Sequence, residues 1–257
     1  MARLPRKRSS TGIYHVMLRG IDKRNIFLHD DDKEKFSDYL FRAKELGVFE
    51  LYGYCLMDNH VHLLIKEGEE LGKSIKRVTV GYVYWHNEKY QRTGHLFQNR
   101  YKSEVVESDS YLVIVARYIH QNPVKAKIVK NPRGYKWSSY KDYLCSYNGA
   151  GTNTDTEFIK GYFKTKRSFE TFMNEPNSDE CLGYEEGKNY TDEKLINIIT
   201  NEAGPGTIGG LPRKKRDEII YKVYESTGAS IRQLSNAMGI GRGIVQRAVK
   251  NTPDKDM

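Results

Sequence analysis

His60 and His62 are separated by one residue within an apolar stretch of the sequence. On a β-strand, side chains at positions i and i+2 lie on the same face. Both imidazoles would therefore point the same way, while Val61, Leu63 and Ile65 would face the opposite layer. Two histidines on one face supply two of the three side chains of a divalent metal site. A His-x-His pair is also common as ordinary polar surface, so the spacing alone leaves both interpretations open.

Tyr118 and Asn122 form a second pair whose spacing suits chemistry, because residues four apart on a helix lie one above the other. Pro123 disfavours a helical conformation for Asn122, so we expect both residues in the final turn of a helix. The Asn122 amide oxygen could be a third metal ligand, with open positions left for phosphate oxygens. Tyr118 could then attack a phosphate polarised by the metal. A tyrosine on a helix usually serves packing, and that alternative remains.

The elements that must position these residues follow from the apolar pattern. We predict strands over 13–18, 49–57, 60–65 and 102–106, and helices over 30–46, 71–89 and 110–122. The turn formers Asp58 and Asn59 separate two apolar runs, which is typical of a β-hairpin. The order β-α-β-β-α-β is that of a ferredoxin-like split βαβ unit. The predicted fold class is therefore α+β, an antiparallel sheet with helices on one face, followed by a small all-α module.

The sequence changes character after about residue 147 and again near residue 211. Residues 148–211 are rich in Asn, Gly, Thr and acidic residues, and we interpret them as a partly helical spacer and linker. A Gly-x-Gly-x-x-Gly match at 204–209 has no strand before it, so it does not indicate a dinucleotide loop. Residues 212–257 carry the apolar spacing of a helix-turn-helix, with Gly239 at the turn. A helical hairpin that serves packing alone would look similar.

Charge gives a first indication of the partner. The chain has 257 residues, 42 Lys+Arg and 33 Asp+Glu, a net charge of +9. Residues 1–26 and 212–250 each carry a net charge of +6, whereas 151–211 carry −5. Basic surfaces attract polyphosphates through the release of counterions. A soluble protein with a few Lys-rich faces is the alternative.

Several classes of protein are disfavoured by composition. No apolar run approaches the roughly 20 residues that a membrane span needs. The basic first ten residues lead into no apolar segment, so we read no signal peptide. The three cysteines, Cys55, Cys145 and Cys181, are widely spaced and odd in number, which favours reduced thiols over disulfides or a zinc site. We therefore expect a cytoplasmic protein that is not embedded in a membrane.

Four motifs carry a resemblance to a known family. They are YHV with RG at 14–20, YCLMDNHVHLL at 54–64, RYKS at 100–103 and RYIHQNPVKA at 117–126. Together they resemble the single-tyrosine HUH transposases, and in particular the REP-associated tyrosine transposases. The resemblance covers about residues 3–145. The last 45 residues are more weakly similar to the helix-turn-helix of bacterial replication initiators.

The resemblance implies a chemistry and a set of site residues. A ferredoxin-like catalytic domain would cut single-stranded DNA at hairpin-bearing sites, with Mg²⁺ or Mn²⁺ and without ATP. Tyr118 would be joined to a 5′-phosphate, and His60, His62 and Asn122 would bind the metal. Some relatives have Gln at the fourth position after the tyrosine, where this chain has Asn122. Gln121 lies roughly 100° away from the Tyr118 face of a helix, so Asn122 is preferred.

The combined prediction is a cytoplasmic, nucleoid-associated DNA transposase acting as a monomer or homodimer. Its catalytic domain would span 1–147, its spacer 148–211 and its helix-turn-helix module 212–257. Single-stranded hairpin DNA would be the partner of the first domain, and duplex DNA that of the last. The predicted DNA-binding residues are Arg3, Arg6, Lys7, Arg8, Arg19, Arg100, Lys102, Arg242, Gln246 and Arg247. His15 is interpreted as structural, and the basic start could equally be a solvated tail.

Three rival functions remain. A non-catalytic DNA-binding regulator could retain the same fold. A metal-dependent hydrolase could use the His-x-His pair, although no further cluster of acidic or histidine ligands is evident. A replication or conjugation nickase of the same HUH class would usually carry a different motif order or a helicase, and no P-loop is present.

Overall fold

The computed structural model describes residues 7–179, 181–182, 192–204, 208–227, 229 and 231–250. The chain divides into two units, Met1–Gly183 and Tyr184–Met257. Among the helices of these described residues, none combines the length and the apolar character needed to cross a membrane.

A four-stranded sheet organises the first unit. Its strands are β1 (Ile13–Arg19), β2 (Phe49–Met57), β3 (His60–Glu67) and β4 (Lys102–Val105). They lie in the order β2-β3-β1-β4, and every pair of neighbours is antiparallel. This is the order of a ferredoxin-like sheet, so the predicted α+β class is confirmed. The two-residue turn at Asp58 and Asn59 joins β2 to β3, as the sequence predicts.

Six α-helices within the described residues accompany this sheet. They are α1 (Asp30–Glu45), α2 (Leu71–Lys89), α3 (Asp109–Lys125), α4 (Tyr140–Ser146), α5 (Glu157–Lys160) and α6 (Lys166–Asn174). Local sequence explains where α1 and α3 begin. A capping box of His29 and Asp32 opens α1, and the Ser108 hydroxyl accepts a hydrogen bond from the Tyr111 amide at the start of α3.

The helices cover both faces of the sheet. The two crossover helices lie on one face, as predicted, where Phe36 of α1 and Val78 of α2 share a core with Val16 of β1. The opposite face is covered by α3, whose Val115 packs in a second core with Leu64 of β3. The sequence predicts helices on one face of the sheet, whereas the structure places α3, which the sequence also predicts, on the other face. Its position matters because side chains of β3 that alternate with the first core point toward α3.

The end of α3 differs from the sequence prediction. The helix does not end at Asn122, because it continues past Pro123 to Lys125. The Ala126 amide donates to the Asn122 carbonyl at 2.9 Å. Proline lacks only its own amide proton, so near the end of a helix the following hydrogen bonds can still form.

The predicted spacer is not a separate segment in the structure. Its first part adds α5 and α6 to the first unit, where Ile159, Phe169 and Met173 are buried in the second core. Its last part contributes a helix to the second unit. These few apolar residues are diluted by polar sequence, so composition alone did not reveal that they pack.

The described residues of the second unit are helical, as predicted. They form α7 (Asp192–Ala203), α8 (Arg213–Thr227), α9 (Ile231–Met238) and α10 (Arg242–Lys250). The core of this unit joins Leu195, Ile220, Leu234 and Val245 from the four helices. A three-residue turn connects α9 to α10, and its Gly239 has φ +64°, a conformation that favours glycine.

Candidate active site

His60 and His62 stand at the start of β3, directly after the tight turn from β2. Their ring centroids are 5.0 Å apart, and His62 is only 1% exposed. The alternate residues of β3 belong to the core on the opposite face; they are Val61, Leu63 and Ile65. The alternation of the strand therefore points both imidazoles toward α3, as their spacing predicts.

Each of these histidines uses its Nδ1 atom in a hydrogen bond. His60 Nδ1 lies 2.6 Å from the Asn59 side-chain oxygen, and His62 Nδ1 lies 2.9 Å from Nε2 of His15. The Asn59 oxygen can only accept, so it places the His60 proton on Nδ1. Nε2 of His60 then carries a lone pair, which is the form that ligates a metal.

Burial keeps both imidazoles neutral. Loss of hydration lowers the pKa of His60 to about 4, although a hydrogen bond with Asn122 raises it in part. The positive charge of Arg19, opposite His60 in the register of β1 and β3, lowers it further. Burial also holds the pKa of His62 well below its ordinary value. Neutral imidazole binds a metal without first having to lose a proton.

The ring of Tyr118, on α3, lies against the rings of His62 and His15. Its ring centroid is 5.7 Å from that of His62 and 5.8 Å from that of His15, both edge-on. Burial raises the pKa of the Tyr118 phenol, and Cys181 and Glu104 add to the effect. The phenol is therefore protonated near neutral pH and must lose its proton when its oxygen attacks a phosphate.

Asn122 and Gln121 have different surroundings, although they are adjacent. Asn122 interacts with His60, whose pKa it raises, and its Nδ2 donates to the Tyr118 carbonyl at 3.0 Å. The Gln121 amide instead donates to the carbonyls of Met173 and Glu175, at 2.8 and 2.9 Å. The structure thus brings Asn122 to the histidines and directs Gln121 toward the chain after α6.

The side chains around His60 could bind a divalent cation only by combining nitrogen and oxygen donors. The described part of the chain contains no group of three or more His, Cys, Asp or Glu that could hold a metal. A site here therefore needs the Asn122 amide oxygen beside the two imidazole nitrogens. Such a set fits a Mg²⁺ or Mn²⁺ ion whose other ligands are water and phosphate oxygens.

Two residues of this cluster were missed from the sequence. His15, interpreted as structural, contacts His62, and the Glu104 carboxylate lies 3.8 Å from the other ring nitrogen of His15. In the sheet, Glu104 is directly opposite His15 on β4. Only the pairing of distant strands brings these residues together, so no local pattern could have identified them.

The predicted DNA-binding residues of the first unit are spread over its surface. Arg100 and Lys102 are exposed just before and within β4. Lys7 and Arg8 line a cavity of about 550 Å³ whose other walls are Tyr14, Tyr101 and residues 67–72, which include three glutamates. Arg3 and Arg6 lie outside the described residues.

The predicted contacts of the second unit lie along α10. Arg242 and Arg247 are exposed, whereas Gln246 is half-buried. Val245 and Ala248 of the same helix are buried in the core of this unit. The helix therefore presents its two arginines to solvent, as the helix-turn-helix interpretation requires.

Comparison with known proteins gives three findings. The family model described as IS200-like transposase matches residues 8–122. A solved structure described as a REP-associated tyrosine transposase bound to a REP hairpin is similar, with 17% sequence identity and a TM-score of 0.49. That similarity covers 61% of this chain and 96% of the other. No curated protein matches the sequence.

Proposed function

We propose that the first unit, in which residues 8–122 match the family model of IS200-like transposases, cuts and rejoins single-stranded DNA through Tyr118. The observation that carries the proposal is the convergence of Tyr118, His60, His62 and Asn122 around one point of the α3 face. All four side chains come from the same chain. The protein would act as a monomer or a homodimer.

The proposed reaction is a transesterification. The Tyr118 oxygen forms a bond to phosphorus, and the bond between phosphorus and the 3′ oxygen breaks. The tyrosine proton is lost, and the leaving oxygen gains a proton and becomes a free 3′-hydroxyl. Attack of a 3′-hydroxyl on the phosphotyrosine reverses the step and rejoins a strand. The phosphoester energy is kept throughout, so no ATP is required.

The metal would be held by the Nε2 atoms of His60 and His62 and by the side-chain oxygen of Asn122. When bound, Mg²⁺ or Mn²⁺ supplies Lewis-acid polarisation of the scissile phosphate. The protein's own residues fix the geometry. Asn59 and His15 hold the two imidazoles by their Nδ1 atoms, and α3 places the Tyr118 ring against His62.

The substrate assignment combines charge with the sequence motifs. Arg19 beside His60, together with exposed Arg100, Lys102, Lys7 and Arg8, suits the binding of a phosphate backbone. The preference for hairpin-bearing single strands rests on the motif resemblance. For the second unit we propose binding of duplex DNA through α10, with Arg242, Gln246 and Arg247 at a groove or on phosphates. A protein acting on chromosomal DNA would work at the nucleoid.

Cleavage assays test the proposed function. The substrate is a single-stranded oligonucleotide that contains the hairpin from the flank of the protein's own gene. We expect cleavage with Mn²⁺ or Mg²⁺, none with a chelator, and at least a hundredfold lower rate for His60→Ala and His62→Ala. His95→Ala is the matched control, since His95 is exposed and outside the cluster, and it should cleave at the wild-type rate.

The main alternative is a DNA-binding regulator that retains the fold without catalysis. It predicts equal binding of the oligonucleotide by the wild type and the histidine variants, and intact DNA in every lane. Binding without cleavage at any metal concentration would therefore replace the transposase proposal with that alternative.

A further inference from the structure

His15 occupies a fully buried position between two side chains of the neighbouring strands. Its accessible surface is 0% of the maximum. In the sheet its direct partner on β4 is Glu104, and its direct partner on β3 is Leu64, so His62 lies two residues along β3 on the same face. Nε2 of His15 is 2.9 Å from Nδ1 of His62, and Nδ1 of His15 is 3.8 Å from the Glu104 carboxylate.

The carboxylate determines where the protons of both rings lie. A neutral imidazole has one N–H donor and one acceptor nitrogen, and an ionised carboxylate can only accept. Glu104 therefore favours the proton of His15 on Nδ1, which makes Nε2 the acceptor. His62 must then donate from its own Nδ1. The lone pair of His62 is left on Nε2.

The opposite arrangement is unfavourable. If His15 donated from Nε2, its Nδ1 lone pair would face the Glu104 carboxylate. Two acceptors would then oppose each other beside a fully buried ring, which costs free energy. In addition, the proton of His62 would move to Nε2 and block metal binding.

We propose that His15 and Glu104 are positioning residues that set the tautomer of His62 for metal binding. The inference rests on the proposed function, because it assigns these residues to the same metal site. Relays of this kind, in which a carboxylate orients a histidine ligand, typically change metal affinity 10- to 100-fold when they are removed. Here the Glu104 carboxylate would act on the ligand His62 through His15.

The surroundings of Glu104 keep it in the required state. Interaction with His15, and hydrogen bonds from Tyr111 and from the Leu182 amide, lower the pKa of the Glu104 carboxyl. The Leu182 amide donates to the carboxylate at 2.9 Å. An ionised Glu104 carboxylate that faces Nδ1 of His15 at 3.8 Å is the arrangement that the relay needs.

Binding of Mn²⁺ to the full chain tests the inference independently of cleavage. Isothermal titration calorimetry would compare the wild type with His15→Leu and His15→Gln, with His62→Ala as the reference for non-specific binding. We expect His15→Leu to raise the Kd for Mn²⁺ at least tenfold. His15→Gln should restore most of the affinity, because its amide oxygen can accept from Nδ1 of His62. His86→Leu is the matched control, since His86 is equally buried but lies on α2, and it should leave the Kd unchanged.

The outcomes separate this inference from the proposed function. A wild type that neither binds Mn²⁺ nor cleaves DNA refutes both. A wild type that binds and cleaves, with a His15→Leu variant of unchanged Kd, refutes only the relay.

A spectroscopic measurement does not depend on the folding of any variant. Long-range ¹H–¹⁵N correlation spectra of the wild type without metal should assign the Nδ1–H tautomer to His62 and to His15. The Nε2–H tautomer at His62 would overturn the inference.

Discussion

The Arg117 guanidinium binds the Asp179 carboxylate through two hydrogen bonds, from Nε at 2.8 Å and from Nη2 at 3.0 Å. The two side chains are only 11% and 12% exposed. This pair joins α3 to a segment 62 residues further along the chain. Gln121 and Lys125 of the same helix also donate to backbone carbonyls of residues 173–179. Residues 173–179, which lie outside the four sequence motifs, thus hold α3 in place, and α3 carries Tyr118.

We predict that Arg117→Met destabilises the first unit. Removing one partner of a buried ion pair leaves the other charge uncompensated, which costs about 3 kcal/mol of the free energy of unfolding. Urea unfolding followed by tryptophan fluorescence measures it, because Trp85 and Trp137 both lie in this unit.

Arg77→Met is the matched control for this prediction. Arg77 also binds a carboxylate, that of Glu69, at 2.7 Å, but its side chain is 53% exposed. Its removal should change the free energy of unfolding far less, because water screens an exposed ion pair. Equal effects of the two substitutions would show that the Arg117–Asp179 pair does not hold the segment to α3.

The adjacent residues Asn122 and Gln121 should separate metal binding from stability. Asn122→Ala removes the proposed oxygen ligand, so we expect the Kd for Mn²⁺ to rise at least tenfold and cleavage to slow. The free energy of unfolding should change little. Gln121→Ala should lower the free energy of unfolding by about 1–3 kcal/mol, because it removes the hydrogen bonds to the carbonyls of Met173 and Glu175. Its affinity for Mn²⁺ should match the wild type. The reverse pattern in calorimetry would assign the ligand to Gln121.

Local sequence was sufficient for much of the fold. The apolar runs around Asp58 and Asn59 predict β2 and the start of β3 correctly, and the helix over Leu71–Lys89 has the predicted bounds. The His-x-His spacing and the four-residue step from Tyr118 to Asn122 depend only on strand and helix periodicity. The spacing of these residues along the chain was therefore enough to predict that each pair shares a face.

The parts that sequence reasoning missed depend on pairing between distant segments. Period-2 alternation gives the face of His15, but only the register of β1 with β3 and β4 places it between His62 and Glu104. The same holds for Phe169 and Met173, whose burial follows from the return of a polar segment to α3. The preference of the residue before a proline for a non-helical conformation predicted that α3 ends at Asn122. The helix instead continues to Lys125 and lacks only the hydrogen bond that the Pro123 amide would have donated.

Acid should destabilise the first unit through its buried histidines, and His120 allows one contribution to be isolated. Burial lowers the pKa of His120 to about 3, so between pH 6.5 and 3 the unfolded chain binds a proton that the folded chain does not. The stability from this group is present above pH 6.5 and is lost as the pH falls. His120→Gln keeps a partner for Ser139, which lies 2.9 Å from the ring.

The measurement is urea unfolding at pH 7.5 and pH 5.5 by tryptophan fluorescence. The wild type should lose about 1.4 kcal/mol more than His120→Gln between the two values. His15, His60 and His62 contribute equally to both proteins and cancel in the comparison. An identical pH dependence would mean that His120 is not held neutral by burial.

The α10 helix should contribute to affinity for duplex DNA. In the full chain, Arg242→Ala and Arg247→Ala should each weaken duplex binding, and the slope of log K against log salt should fall by about 0.9 for each DNA phosphate that the variant no longer neutralises. Gln246→Ala should change the preference among sequences more than the salt slope. Cleavage of a short single-stranded hairpin should be unaffected.

Lys222→Ala is the charge-matched control for this experiment. Lys222 is on α8 and pairs with Glu202 at 2.6 Å within the same unit. Fluorescence anisotropy over a range of salt concentrations compares the variants. Equal salt slopes for the two arginine variants, the control and the wild type would assign α10 to packing or to a protein partner.

The most direct test of the central claim is the covalent bond itself. The wild type is incubated with Mn²⁺ and a single-stranded hairpin oligonucleotide, digested, and examined by mass spectrometry for a peptide carrying a nucleotide 5′-phosphate. We predict the phosphoester on Tyr118, a free 3′-hydroxyl on the released strand, and no adduct with Tyr118→Phe, which should still bind the DNA. Cleavage by Tyr118→Phe at the wild-type rate, or an adduct on another residue such as Tyr111, would contradict the account.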